Sequence, residues 1–560
     1  MTNTRPVRPY PAEDEAPFSP LETLTDQAHP RLSDPEMNRI MRLGTQVSWF
    51  AGEAIYAAGQ PASGVLVLLR GRVTVTRHDG LGQANVTIDQ GPGHFLGEAA
   101  QLSGRPSLVD AHALTDVEAL QFAPEQLRAL LVVEAELGER ILRALIRRRA
   151  GLIEQGCGPV LVGLPGQAKL VALEGFLRRN DHPHTVIDAR SDPDALALLE
   201  RITSSPDELP IVVCPDGTML RAPTENELAI TLGWLPVLDP ARIYDVVIVG
   251  AGPAGLATAV YAASEGLCVA VFDARAPGGQ AGASSRIENF LGFPMGISGQ
   301  ALAGRAFVQA QKFGAHLFIP SQVTSLHCEG STVALELDSG NRITARAVVI
   351  ASGASYRRPP IDGLGRFEGR GVYYWASPIE ARLCAGRDVI IVGGGNSAGQ
   401  AAAYLASHAR RVRILIRRSG LEATMSHYLI ERLNALPNIE LSVQTEIESL
   451  EDDEHGLAAV HCTSARGKET FAVRHVFLFT GADANTGWLR DCSVDVDEKG
   501  FILTGSDVLN RKFNGAFPLE TSLRRVFAIG DVRSSSVKRV AAAVGEGAAV
   551  VAQIHAVLSR

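Results

Sequence analysis

The sequence predicts a multidomain chain dominated by an α/β core: two nucleotide-binding domains of the three-layer, doubly wound type. A small β-roll and a small α/β module precede them. Three observations predict this. The stretch Tyr244–Asp273 places the glycines of GAGPAG between a β-branched run, an Ala-rich segment and a second apolar run. A second copy of the unit, VIIVGGGNSAGQAAAYLA, follows in the same chain. At 560 residues, 46% hydrophobic, the chain is too long for one domain and apolar enough to bury several cores.

Residues 1–36 read as a disordered tail, because Met1–Pro35 holds seven prolines and almost no apolar periodicity. Over 37–156, short alternating runs such as Gly64–Leu69 and Arg72–Thr76 are parted by turn residues, as in a β-roll, and a helix is expected from Pro124 to Gln155. Its Arg147–Arg148–Arg149 run reads as a solvated helix end, where cations suit the helix dipole. The run FLGEAAQLSGRPSLVDAHA, Phe95–Ala113, resembles the cyclic-nucleotide-binding domain of the catabolite activator protein family, with Gly71, Gly91, Gly93, Gly97 and Glu98 matching. That family grips the cyclic phosphate with an arginine and a small hydroxyl residue; here Ser107 and Leu108 stand in their place, and Arg105 lies earlier in the turn. Loss of a charge-assisted phosphate bond removes a main source of affinity. Gly97, Glu98 and Ser107 are therefore expected to form a degenerate pocket that does not take a cyclic nucleotide.

Residues 157–238 read β-α-β-α-β-β-α, with strands at Val160–Val162, Thr185–Ile187 and Ile211–Cys214. Helices are expected near Ala168–Arg178, near Pro193–Ile202 and after Thr224. The order resembles the thioredoxin or glutaredoxin fold, with Pro210 at the position of that family's cis-proline. LPGQ, Leu164–Gln167, replaces its CxxC, so dithiol exchange is excluded and a docking or spacer role is expected.

The core begins near Ala241. In the first fingerprint Gly250 turns the chain out of a strand, Gly252 leaves room for a pyrophosphate, and Gly255 lets helix and strand pack closely. Free N–H groups at the helix start, beside Pro253 and Ala254, face the phosphate charge. Asp273 ends the second strand, where an acid holds ribose hydroxyls. The uncharged stretch Val246–Ser264 is read as this fingerprint and not as a membrane span. In the repeat, Gly393, Gly395 and Ala398 carry the pattern, with Asn396 and Ser397 at the helix start. The position equivalent to Asp273 is Ile416, followed by Arg417–Arg418, which suit a ribose 2′-phosphate. The first site therefore reads as FAD and the second as NADPH. In VFAIGDVR, Gly530–Asp531 brings a carboxylate to the flavin's ribitol; Arg539 and Val540 follow, and Gly545–Glu546–Gly547 reads as a Gly-rich helix start facing the ring. The FAD domain is thus discontinuous, 241–356 and 480–560, with the NADPH domain, 357–479, inserted.

These motifs, together with GGQ at 278–280, ENFLGFP at 288–294 and ASG at 351–353, resemble the low-molecular-weight thioredoxin reductase family of flavoproteins. The resemblance implies an FAD-dependent, NADPH-oxidising homodimer whose two domains rotate against each other. It adds Gly279, Gln280, Asn289, Ala351 and Gly353 to the FAD contacts. The family's catalytic CxxC is missing: in YYWASPIEA, Tyr373–Ala381, Trp375 and Pro378 occupy the cysteine positions. Cys384 beyond them reads as a buried core thiol and His427 as a surface histidine. No catalytic residue and no metal ligand is assigned.

The expected function is hydride transfer from NADPH to FAD, then electron delivery to an external acceptor: a ferredoxin- or flavodoxin-type carrier, a quinone or a partner disulfide. Relatives without the CxxC include ferredoxin–NADP reductases. The alternatives are a redox- or nucleotide-responsive sensor and an atypical thioredoxin-disulfide reductase. A net charge of −8 argues against nucleic acid as a partner. Seven scattered cysteines without a CxxC and no apolar leader fit a cytoplasmic protein away from membranes.

Overall fold

The computed structural model describes residues 28–559 except 62–63, 79–83, 98, 103–104, 155–157, 165–166, 193–198, 200–204, 330–331, 454–455 and 509–516. The β-roll is two antiparallel four-stranded sheets. One runs Thr45–Trp49, Val117–Phe122, Val65–Arg70, Phe95–Leu96; the other runs Ala54–Tyr56, Val109–Ala113, Val73–His78, Ala84–Gln90. The single helix expected over 124–155 is two, Pro124–Val133 and Ala135–Glu154, broken at Glu134. The break lets the second helix pack tightly on the first: a Cβ on Gly138 would lie 2.8 Å from Leu131 O. Both helices then bury leucines against Phe95 and Phe122.

The arginine run is not a helix end. Arg148 is buried, stacks 4.4 Å over the Phe95 ring, and donates to Ala28 O (2.7 Å), Phe95 O (2.8 Å) and Gly97 O (2.9 Å). Burial lowers its pKa to about 10, so it remains a cation whose cost is offset by three carbonyl bonds. Residues 28–36, assigned to the tail from sequence, are ordered by the same contacts. Leu32 is buried, its N–H bonds Gly93 O at 2.7 Å, and a Ser33–Glu36 capping box opens the helix Asp34–Ile40.

The intermediate α/β module has strand order Thr185–Asp188, Val160–Gly163, Ile211–Val213, Met219–Arg221; the first pair is parallel and the others antiparallel. Its helices, Ala168–Arg179 and Glu225–Thr231, start where the sequence placed them, the latter capped by Thr224. They close a core of Leu161, Phe176, Val212, Leu228 and Trp234. The Leu209–Pro210 bond is cis. The expected helix Pro193–Ile202 falls almost wholly outside the described residues, as do two residues of LPGQ.

The first fingerprint domain is a mixed sheet in the order His316–Phe318, Val269–Phe272, Ile243–Val249, Arg342–Ile350, Thr332–Leu337, Val323–Glu329. Val526–Ala528 joins it in parallel with Arg342–Ile350, so the C-terminal segment returns to the first domain. The uncharged stretch Val246–Ser264 is divided between a strand and the helix Pro253–Ser264. The second domain is a five-stranded parallel sheet, Val372–Tyr373, His475–Leu478, Asp388–Val392, Arg411–Leu415, Ile439–Ser442, accompanied by a three-stranded antiparallel sheet. The two segments that pass between the domains, Ala354–Tyr356 and Ala482–Ala484, pair as an antiparallel ribbon. One helix, Val540–Leu558, is long and apolar enough to cross a membrane. Here it buries Val550, Val551, Ile554 and Val557 in the core beside the first fingerprint helix.

Candidate active site

Backbone geometry at the first fingerprint builds a cradle. Gly250 has φ +109°, and its N–H reaches Phe272 O at 2.7 Å, so the turn is pinned to the second strand. A Cβ on Gly255 would overlap Gly250 O, so the helix can approach the strand only because residue 255 lacks one. Asp273 is oriented by three backbone donors: Ala251 N to Oδ2 at 2.8 Å, and Arg275 N (2.9 Å) and Ala276 N (3.1 Å) to Oδ1.

These elements wall a cavity of about 850 Å³. Gly250, Gly252, Pro253, Ala254 and Asp273 line one end, with Gly279, Gln280, Asn289, Ala351 and Gly353 along the side. Asp531, Arg539 and Val540 complete it. Of the residues expected to hold FAD, Gly255 and Gly530 are off the wall. Gly255 is spent on helix–strand packing, and Gly530 N–H is bonded to Glu546 Oε2 at 2.6 Å.

The glycines Gly545 and Gly547 do not open a helix, contrary to the expectation from sequence. The helix begins at Val540, so Gly545–Glu546–Gly547 lie inside it and do not present free N–H groups. Glu546 instead ties Gly530 N–H and the Arg533 guanidinium, and a Cβ on Gly547 would lie 2.8 Å from Ala257 Cβ. The cavity's helix start is at Arg539–Val540. Burial, reinforced by Glu546, raises the pKa of the Asp531 carboxyl. Lys538 and Trp488 also line this cavity without having been singled out; Lys538 Nζ caps Asp531 O at 2.6 Å. Lys538 beside Arg539 was readable in KRVAAAV, whereas nothing local marks Trp488.

A second cavity of about 660 Å³ adjoins the first and shares Gly279, Gln280, Tyr356 and Ser397 with it. Trp375 stands on its wall, its indole N–H donating to Glu380 Oε1 at 3.0 Å and its ring 5.8 Å from the Arg275 guanidinium carbon. Pro378 is the first residue of the short helix Pro378–Leu383, capped by Ser377. Among the described residues no cysteine lines either cavity. Cys384 is fully buried, and burial pushes its thiol up to about 12, which keeps it protonated and unreactive. His427 is exposed beside Glu431 at 3.4 Å, as expected of a surface residue.

At the second fingerprint, Asn396 and Ser397 open the helix Asn396–Leu405 and line the larger cavity, while Ala398 is buried beneath them. Asn396 is fixed by Ser426, whose N–H donates to Asn396 Oδ1 at 2.7 Å. A Cβ on Gly394 would lie 3.3 Å from Ile416 Cγ2, so the strand end abuts the Gly393–Gly395 turn. Arg417 and Arg418 follow Ile416 on the exposed side.

In the β-roll, Glu98 lies outside the described residues. Gly97 O is taken by Arg148, and the Ser107 hydroxyl is spent on Val109 O at 2.8 Å. Arg105 points away from the roll, its guanidinium carbon 5.2 Å from the Trp234 ring and 5.7 Å from Phe307. Arg105 is therefore engaged with aromatic rings of two other modules.

Comparison with known proteins matches residues 244–547 to the pyridine nucleotide-disulphide oxidoreductase family and residues 46–133 to the cyclic nucleotide-binding domain. A thioredoxin reductase of Treponema pallidum is 33% identical over 307 residues, covering 54% of this chain and 94% of that protein. A 34.2 kDa protein in the rubredoxin operon of Clostridium pasteurianum is 30% identical over 304 residues, covering 54% of this chain and 93% of its own length. The crystal structure of Lactococcus lactis thioredoxin reductase superposes with a TM-score of 0.52 at 25% identity, covering 56% of this chain and 99% of that one.

Proposed function

Since the chain belongs to the pyridine nucleotide-disulphide oxidoreductase family, whose thioredoxin reductase-like members bind FAD and NADPH, we propose that it oxidises NADPH and delivers the electrons to an external acceptor without an internal disulfide. The observation that carries this is at the smaller cavity, where Trp375 stands on the wall in place of one family cysteine, Pro378, in place of the other, opens the helix behind it, and Cys384 at that helix's end is buried.

The larger cavity fits FAD: its fingerprint turn leaves room for backbone contact to a pyrophosphate, and two carboxylates, Asp273 and Asp531, stand on its wall. When bound, FAD supplies the two-electron chemistry that links NADPH to the acceptor. Asp273, already oriented by three N–H groups, would hold the ribose, and Asp531 and the helix start at Val540 would hold the ribitol and ring. Asn396 and Ser397 place the second dinucleotide, and Arg417–Arg418 select its 2′-phosphate. Trp375, held by Glu380, screens the route by which electrons leave.

The acceptor belongs to the class of small electron carriers, quinones or partner disulfides, and the Clostridium pasteurianum relative in a rubredoxin operon favours a carrier protein. A side-by-side screen of NADPH oxidation with ferredoxin, flavodoxin, rubredoxin, quinone and thioredoxin tests this. Turnover is expected with at least one non-disulfide acceptor, and Cys384→Ala should match the wild type while losing about 1 kcal/mol of stability through lost packing. Turnover with thioredoxin alone, abolished in Cys384→Ala, would contradict it.

A further inference from the structure

The loop Asp273–Gln280 leaves the second strand of the first fingerprint and walls both cavities. Its tip is pressed onto the fingerprint turn, since a Cβ on Gly279 would sit 3.1 Å from Gly252 Cα. The depth of the cradle therefore depends on where this loop is held. Within its own domain it is tied by Asp273 and by Gly278 N–H to Ala251 O at 2.7 Å.

Ser321 N–H to Asp273 O at 2.7 Å and Gln280 Nε2 to Ala354 O add to these, and a further set of ties comes from the intermediate module. The helix Ala168–Arg179 ends on the loop: Arg179 Nη2 donates to Gly279 O at 2.7 Å, and Asn180 Nδ2 to Arg275 O at 3.1 Å. Glu225 of the same module chelates the Arg275 guanidinium at 2.7 and 3.0 Å. Gln300 locks the helix end from the other side, donating to Arg178 O at 2.7 Å and Asp181 Oδ1 at 2.6 Å.

Arg179 lies on the wall of the smaller cavity, and its Nε is buried without a hydrogen-bond partner. A guanidinium left part-paired in a protein interior is costly, and a nearby anion offsets the cost. Asp273 and Glu225 are the anions whose charges act on Arg179, so it stays a cation fastened to the loop.

We propose that the intermediate module is part of the flavin site: Arg179, with Asn180 and Glu225, holds the Asp273–Gln280 loop closed over the dinucleotide, so that FAD retention depends on this module. The inference rests on the flavin reading above. It assigns Arg179 a positioning role exerted through Gly279, and it accounts for a module that keeps its fold without a redox motif.

The test is titration of the full-length, flavin-stripped chain with FAD, followed by flavin fluorescence below the melting temperature and by visible circular dichroism of the bound flavin. Arg179→Ala should bind FAD about tenfold more weakly, the weight of one charge-assisted hydrogen bond, with an altered dichroic band. Arg179→Lys should recover part of the loss. Glu208→Gln, which breaks the Glu208–Arg221 pair elsewhere in the module, should leave FAD affinity unchanged. If Arg179→Ala does not fold, Glu225→Gln carries the test with a several-fold loss. FAD affinity within twofold of the wild type in the folded variants overturns the proposal. A wild-type chain that takes no FAD overturns the flavin reading itself, and the proposal with it.

Discussion

Gly255→Ala should purify almost free of flavin and melt well below the wild type. The added Cβ overlaps Gly250 O and meets Ile248 Cγ2 at 3.2 Å, and neither the strand nor the turn can yield without opening the cradle. Overpacking a tight core costs about 1–3 kcal/mol, and the upper end applies where the obstacle is backbone. Even half of that charged against binding lowers FAD affinity about tenfold, since 1.4 kcal/mol is a factor of ten. The flavin-to-protein absorbance ratio and a thermal melt measure both effects. Gly175→Ala is the control: it lies on a helix, and a Cβ there meets nothing within 4 Å.

Replacing Arg417 and Arg418 together with alanine should raise KM for NADPH about 100-fold and leave KM for NADH within about twofold. Both residues are exposed just past the strand Arg411–Leu415, where a 2′-phosphate can reach them. Hydrogen bonds between charged groups contribute about 1.5–3 kcal/mol each, and at an exposed site the pair together should reach only about 3 kcal/mol. Added salt should narrow the wild-type preference for NADPH by screening the same charges. Steady-state kinetics with the two nucleotides at two ionic strengths measures it. Equal losses for both nucleotides would instead mean that the arginines support the strand Arg411–Leu415.

What the sequence revealed and what it hid divide along contact range. The fingerprints were legible because their chemistry is local: a strand, a turn that tolerates φ +109° at Gly250, a helix start and an acid follow one another within a few dozen residues. The helix Ala168–Arg179 and the helix that follows Thr224 were legible for the same reason. Arg148 was misread because its carbonyl partners Ala28, Phe95 and Gly97 are distant in sequence, and three adjacent arginines look solvated when only neighbours are considered. Gly545–Gly547 was misread because glycines inside a helix for close packing look like glycines opening one; only the Gly547 approach to Ala257 and Thr258 distinguishes them. Arg179 carried no local signal, since its meaning depends on a loop in another domain.

The departure at Trp375 and Pro378 was readable from sequence, and the structure adds why it matters. A thiol restored by small movements is not at hand: Cys384 sits at the end of the helix Pro378–Leu383, its side chain buried with Tyr373 and Phe477. A chain of this kind stores two electrons, on the flavin alone. Anaerobic titration of the flavin-loaded chain with NADPH, followed at the flavin absorbance band, counts them. Complete bleaching is expected at one NADPH per flavin, identically in the wild type and Cys384→Ala. Uptake of a second equivalent, or no bleaching at saturating NADPH, would contradict it.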